Sequence, residues 1–126
     1  MESLKIEATK YTPEIILNAE NRIISLIGKS YPENTFEFYN PIMEWLEEYF
    51  ELDSTEKTTV NMEIIYFNSS SSKLFFDFFD LVEETNTENE VKINWIYDAE
   101  NESALEAGED FQEDFEDLNF NLVPKV

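Results

Sequence analysis

One stretch of this chain sets chemistry-bearing groups side by side: Asn68-Ser69-Ser70-Ser71-Ser72-Lys73. It stands between an alternating apolar run, Thr59 to Phe67, and a dense apolar run at helical spacing. The hydroxyls therefore fall at a strand-to-helix turn, on a helix N-terminus. Backbone N–H groups and the macrodipole favour an added anion there. A phosphoryl group on one of these serines would bring a charge of about −1.5 to −2 and three strong acceptors to any partner docked on the turn. The same residues have an ordinary use, since Asn and Ser are preferred helix caps. The Ser70-x-x-Lys73 spacing matches the S-x-x-K of serine β-lactamases, but neither the S-D-N nor the K-T-G element accompanies it.

The remaining inventory is poor in catalytic groups. There is no His, so the usual neutral-pH general base is missing, and Arg22 is the only arginine. Without Cys, no thiolate metal site or disulfide can form, which fits a reducing, cytoplasmic setting. Carboxylates are abundant, but Glu109 to Asp117 lacks the spacing and central glycine of a calcium loop. A carboxylate-only hydrolase would need two acids facing each other across a cleft, roughly 5–9.5 Å apart. No catalytic residue, metal or cofactor is expected. The balance of 29 acids against 8 bases gives −21, which repels nucleic acid and anionic membranes and suits encounter with basic protein surfaces. Met-Glu-Ser-Leu-Lys-Ile-Glu does not read as a secretory signal, so the sequons at Asn68 and Asn101 carry no weight. No run approaches the roughly 18 apolar residues of a membrane span.

The elements that must position the turn follow from periodicity. Leu4–Ala8 alternates as a short strand. Glu14–Leu17 and Arg22–Ile27 are β-branched runs around Asn18-Ala19-Glu20-Asn21, a hairpin pattern. Asn40-Pro41 reads as a helix start, followed by Ile42, Trp45, Leu46, Tyr49 and Phe50 at helical spacing. Polar loops are expected at Asp53–Lys57 and Thr85–Glu90. In Thr59–Phe67, Val60, Met62, Ile64 and Tyr66 share one face. The next helix is expected to begin near Ser70–Lys73, with Lys73, Asp77, Asp80 and Glu84 as its exposed stripe. Val91–Tyr97 alternates as another strand, Ser103 and Glu106 form a capping box for a last helix, and Leu118–Val126 is irregular or a short edge strand. Trp45 and Trp95 read as core residues. The order predicts an α/β fold: one domain over residues 1–126, a mixed sheet of about five or six strands flanked by about three helices.

The chain also resembles a known family. Thr12-Pro13-Glu14 is followed by Gly28-x-Ser30-Tyr31-Pro32-Glu33-Asn34, then by Phe38-Tyr39-x-Pro41-x-x-x-Trp45-Leu46-Glu47-Glu48-Tyr49. Tyr66-Phe67-Asn68-Ser69-Ser70-Ser71-Ser72-Lys73, Asn94-Trp95-x-Tyr97-Asp98 and Glu106-Ala107-Gly108-Glu109-Asp110-Phe111 complete the set. In this order and spacing they resemble the SiaC family of bacterial regulatory phosphoproteins. The resemblance implies a STAS-like domain, similar to the anti-sigma-factor antagonists, in a partner-switching module. It implies a cognate serine/threonine kinase, a PP2C-type phosphatase, and an effector that the unmodified form binds and activates. That effector would be a GGDEF-domain diguanylate cyclase, tying the module to cyclic-di-GMP and biofilm control. By position the acceptor would be Ser69, where the family usually has Thr; Ser70 and Ser71 are the alternatives. Asn68, Ser70, Ser71, Ser72, Lys73, Asp77 and Asp80 would form the switch turn and partner face. The competing reading is a constitutive acidic protein-binding module or nucleic-acid mimic, which needs no modifiable serine.

Overall fold

The computed structural model describes residues 1–52, 57–85 and 90–125. The loops expected at Asp53–Lys57 and Thr85–Glu90 fall mostly on residues 53–56 and 86–89, outside the described residues, as does Val126. The elements are β1 (Leu4–Ile6), β2 (Glu14–Asn18), β3 (Ile23–Ser30), α1 (Thr35–Glu51), β4 (Thr58–Phe67), α2 (Ser69–Thr85), β5 (Val91–Asp98), α3 (Glu102–Asp114) and β6 (Asn119–Lys125). They build one six-stranded sheet in sequence order, β1-β2-β3-β4-β5-β6. The first three strands are antiparallel; β3 to β6 are parallel, each joined to the next through a helix. The tail is thus a seven-residue parallel edge strand, within the range the sequence left open.

Period-2 alternation and the register divide the sheet into two faces. Leu17, Ile24, Val60, Ile93 and Phe120 stand opposite one another across five strands, and all are buried. Most of the buried residues of the three helices join these in one cluster, so the helices cover this face. The other face carries a polar row, Ser25, Asn61, Asn94 and Asn121, in which Asn94 Nδ2 donates to Asn61 Oδ1 at 3.0 Å. On the same side Lys125 Nζ donates to Glu63 Oε2 at 2.9 Å, tying β6 to β4.

Four local expectations are corrected. Helix α1 begins six residues early: Asn34 is its cap, accepting from the Glu37 N–H, and Pro41 lies inside the helix. Asn40 instead reaches Glu44 one turn on. Pro41 is tolerated because it sits on the exposed side, where water can reach the carbonyl that loses its N–H partner. Helix α3 is capped by Asn101, which accepts from the Ala104 N–H, so Ser103 falls in the first turn. In both cases an upstream Asn competes with the expected cap and wins. The third correction is in β4. The pairing passes from Gly28–Ile64 to Lys29–Tyr66, leaving Ile65 as an extra residue. This bulge turns Tyr66 outward, to 54% exposure, and brings Phe67 against Phe75 and Trp95. Gly28, at φ +130°, supplies the backbone conformation opposite it. Trp95 is fully buried as expected, but Trp45 is only half-buried, stacked on Tyr49 and donating to the Glu2 carbonyl.

Gly108 lets α3 lie close against the sheet. A Cβ there would stand 2.5 Å from Trp95 Cδ1 and 2.8 Å from Leu122 Cδ2. Alanine's better helix propensity is worth about 0.8–1.0 kcal/mol, against about 1–3 kcal/mol for overpacking a filled site. The clash should win, because the Trp95 ring has no exposed side toward which to move. Gly108→Ala is expected to lower stability by about 1–2 kcal/mol, read as a lower urea midpoint at unchanged slope.

Candidate functional site

The chemistry-bearing turn sits at the end of the strand flanked by β3 and β5. Phe67 ends β4, Asn68 is the whole connection, and Ser69 is the first residue of α2. The helix therefore starts one residue before the expected range. Asn68 makes the stop possible. Its Oδ1 accepts from the Ser71 N–H at 2.9 Å, and its carbonyl accepts from the Ser72 N–H at 3.0 Å. Its own N–H donates to the Ser30 carbonyl at 3.1 Å, extending the β3–β4 pairing into the turn.

The four serines have different environments. Ser71 is fully buried, and its Oγ lies 2.8 Å from Ser30 Oγ, which lies 2.5 Å from the Tyr39 hydroxyl. This chain of hydroxyls joins the first turn of α2 to the end of β3 and to α1. Ser72 is half-buried, while Ser69 and Ser70 are exposed. Among the candidate acceptors, then, Ser69 and Ser70 offer their hydroxyls to solvent and Ser71 does not. Lys73, Asp77, Asp80 and Glu84 are all exposed, as the periodicity predicts. Phe76 departs from it: the apolar side of α2 was expected to be spent on the core, yet this ring is 43% exposed.

The turn has two flanks, each opening on a groove. Ser69, Ser72, Lys73 and Phe76 line one of about 570 Å³ between α2 and α3. Ser70, Lys73, Leu74 and Asp77 line another of about 490 Å³ toward the start of α1, where Phe36 is 72% exposed. Behind the turn, Tyr66 meets Tyr31 edge-on at 5.5 Å, and Tyr31 meets Tyr11 at 5.3 Å.

Sequence reasoning missed Ser30 and Tyr39 as parts of this site. Both stand inside the quoted family motifs, but a lone serine ending a strand carries no periodic signal. The bulge and the exposure of Phe36 and Phe76 depend on three-dimensional neighbours that local pattern does not report.

A family model described as the SiaC family regulatory phosphoprotein matches residues 6–125. An uncharacterised protein of Pseudomonas aeruginosa strain UCBPP-PA14 is 34% identical over 115 residues, covering 90% of each chain. The crystal structure of apo-SiaC from Pseudomonas aeruginosa superposes with a TM-score of 0.85 at 30% identity, over 100% of both chains. SiaC from the same organism, solved in complex with the diguanylate cyclase SiaD of which it is the activator, gives a TM-score of 0.83. Its identity is 32%, over 96% of this chain and 97% of that one.

The hydroxyl chain has a measurable signature. Burial pushes the Tyr39 hydroxyl up from 10.0 to about 12, against a smaller lowering by its hydrogen bond with Ser30. The folded value lies above the unfolded one, so the folded state holds this proton longer. Its contribution is intact below pH 10 and is lost as pH rises from 10 toward about 12. Tyr39→Phe should remove that part of the alkaline loss, measured as urea stability of variant and wild type on either side of the tyrosine range. At neutral pH it should cost about 1 kcal/mol, because Ser30 loses a partner.

Proposed function

The chain belongs to the SiaC family of regulatory phosphoproteins, and from that premise we propose that it is a phosphorylation-switched adaptor whose unmodified form binds and activates a diguanylate cyclase. Ser69 is the acceptor. A cognate serine/threonine kinase modifies it and a PP2C-type phosphatase restores it, so the output is control of cyclic-di-GMP synthesis and of the biofilm state it governs. The chain itself performs no catalysis; it acts in the cytoplasm by being bound.

The observation that carries this reading is the placement of Ser69: exposed, first in α2, and held by an Asn68 cap at the end of β4. A kinase can reach this hydroxyl without unfolding anything. An added phosphate would lie beside the first N–H groups of the helix, which have no intrahelical partners. The relative solved with SiaD supplies the effector class. The strongly acidic composition accords with action through protein surfaces rather than nucleic acid.

Incubation with the cognate kinase, followed by mass spectrometry, should place phosphate on Ser69, and Ser69→Ala should lose most of it. Ser69→Ala should keep cyclase binding, whereas Ser69→Asp should weaken it by about tenfold, about 1.4 kcal/mol. Phosphate found mainly on Ser70 would move the acceptor by one residue and keep the mechanism. If no serine of the turn is modified and both variants bind alike, the switch is wrong.

A further inference from the structure

We propose that the uncovered face of the sheet is a self-contact. Two copies of this chain pack there face to face about a two-fold axis, with strands crossing at roughly a right angle and Glu14 of each copy against Lys92 of the other. The inference does not depend on the adaptor reading given above.

Charge singles this face out. Helix α1 carries five acids, α2 four and α3 six, against Lys73 alone. Two copies meeting through their helices would repel each other strongly. The three side-chain rows that the register places on the other face hold Lys5 and Lys92 against Glu14 and Glu63, so their charges cancel. On a chain of −21, this is where a second copy can approach without repulsion. A basic partner would be drawn to the helices instead, and an acidic one finds no surplus cation here. Apolar groups accompany the balance: Ile23 and Ile27 are each 39% exposed, and Val123 is 37% exposed.

The pattern also fits its own copy. In the central row Asn94 Nδ2 donates to Asn61 Oδ1, which leaves Asn61 Nδ2 as a donor and Asn94 Oδ1 as an acceptor for bonds across the contact. A two-fold contact needs one of each, because each copy supplies what the other lacks. Glu14 stands beside Ile27, one row to one side of the central row, and Lys92 stands beside Thr59, one row to the other side. They are separated by about 14 Å across the strands and about 13 Å along them. Because these offsets are nearly equal, a two-fold axis between the sheets, at about 45° to the strands, lays each Glu14 on the other copy's Lys92. Among the described residues neither side chain makes an ion pair within the chain. The face measures roughly 25 by 20 Å, which gives about 500 Å² per copy and about 1,000 Å² in all, at the lower bound of a specific interface. The dimer is therefore weak, and both helical layers, with both Ser69 turns, stay outward.

Sedimentation equilibrium of the full chain tests this. Between about 1 and about 300 µM the mass should rise from 14.9 kDa toward twice that value, with a dissociation constant on the order of 10–100 µM. Asn61→Asp keeps the acceptor for Asn94 and sets two like charges near the axis, so it should leave the fold intact and weaken dimerisation about tenfold or more. Glu14→Lys and Lys92→Glu should each weaken it about fivefold or more, and the two together should recover to within about twofold of wild type. Glu106→Lys, on the exposed side of α3, changes the net charge as Glu14→Lys does and should leave the dimer as tight or tighter. A chain that stays at 14.9 kDa at every concentration overturns the proposal, as does a dimer indifferent to Asn61→Asp. A double variant as weak as the single ones overturns the Glu14–Lys92 pairing and the geometry built on it. A monomeric chain whose Asn61→Asp variant loses the cyclase would give this face to that partner and overturn the self-contact.

Discussion

Ser30 holds the start of α2 twice. Its carbonyl accepts from the Asn68 N–H, and its hydroxyl accepts or donates within the chain that links Ser71 to Tyr39. The first bond fixes where β4 stops; the second fixes how the helix leaves it. Both groups are buried, so neither could be left unpaired without a cost of about 1–3 kcal/mol. The rest of the site depends on this clamp. With the buried flank of the first turn given over to Ser71, the helical period sends Ser69 and Ser70 outward on either side of it. The β4 bulge serves the same end, because without the extra residue at Ile65 the strand would present Tyr66 rather than Phe67 to the core.

Electrostatics then divides the surface. A net charge of −21 provides a repulsive background against which any cation near the turn matters. Lys73 is that cation, and it lines both grooves. Exposed ion pairs are individually weak, of the order of 0–1 kcal/mol. A contact to this one lysine therefore gains most from apolar surface beside it, where water is excluded when a partner binds. Phe76 on one flank and Phe36 on the other provide such contacts.

Much of the fold was legible because its cause is local. Alternation in β4 and β5 and the helical spacing of Phe75, Phe78, Phe79 and Val82 are direct consequences of one buried face. The helix starts were misread for a reason equally local: Asn34 and Asn40 compete for one cap, and Asn101 competes with Ser103. What settles each is whether the following backbone N–H can reach the side chain, as Glu37 reaches Asn34 and Ala104 reaches Asn101. The turn itself was found because its residues are contiguous. Its partners Ser30 and Tyr39, and the second wall at Asp110 and Asp114, come from elsewhere in the chain and meet it only through the sheet order.

The difference between Ser69 and Ser71 states what kind of switch this geometry permits. A phosphate on Ser71 could enter only by breaking the Ser71–Ser30–Tyr39 chain and opening the space between α2, β3 and α1. The modified state would then be a remodelled fold, and its cost would fall on the stability of the chain. A phosphate on Ser69 leaves the Asn68 cap and the Ser71–Ser30–Tyr39 chain intact and stands at the positive end of α2. An anion there is favourable by about 0.3–1 kcal/mol. A switch at Ser69, as proposed, would leave the fold the same in both states and put the information in which charge occupies the surface beside Lys73. A partner that reads this surface need not deform the chain, so the free energy of switching is the difference in its contacts with the two states.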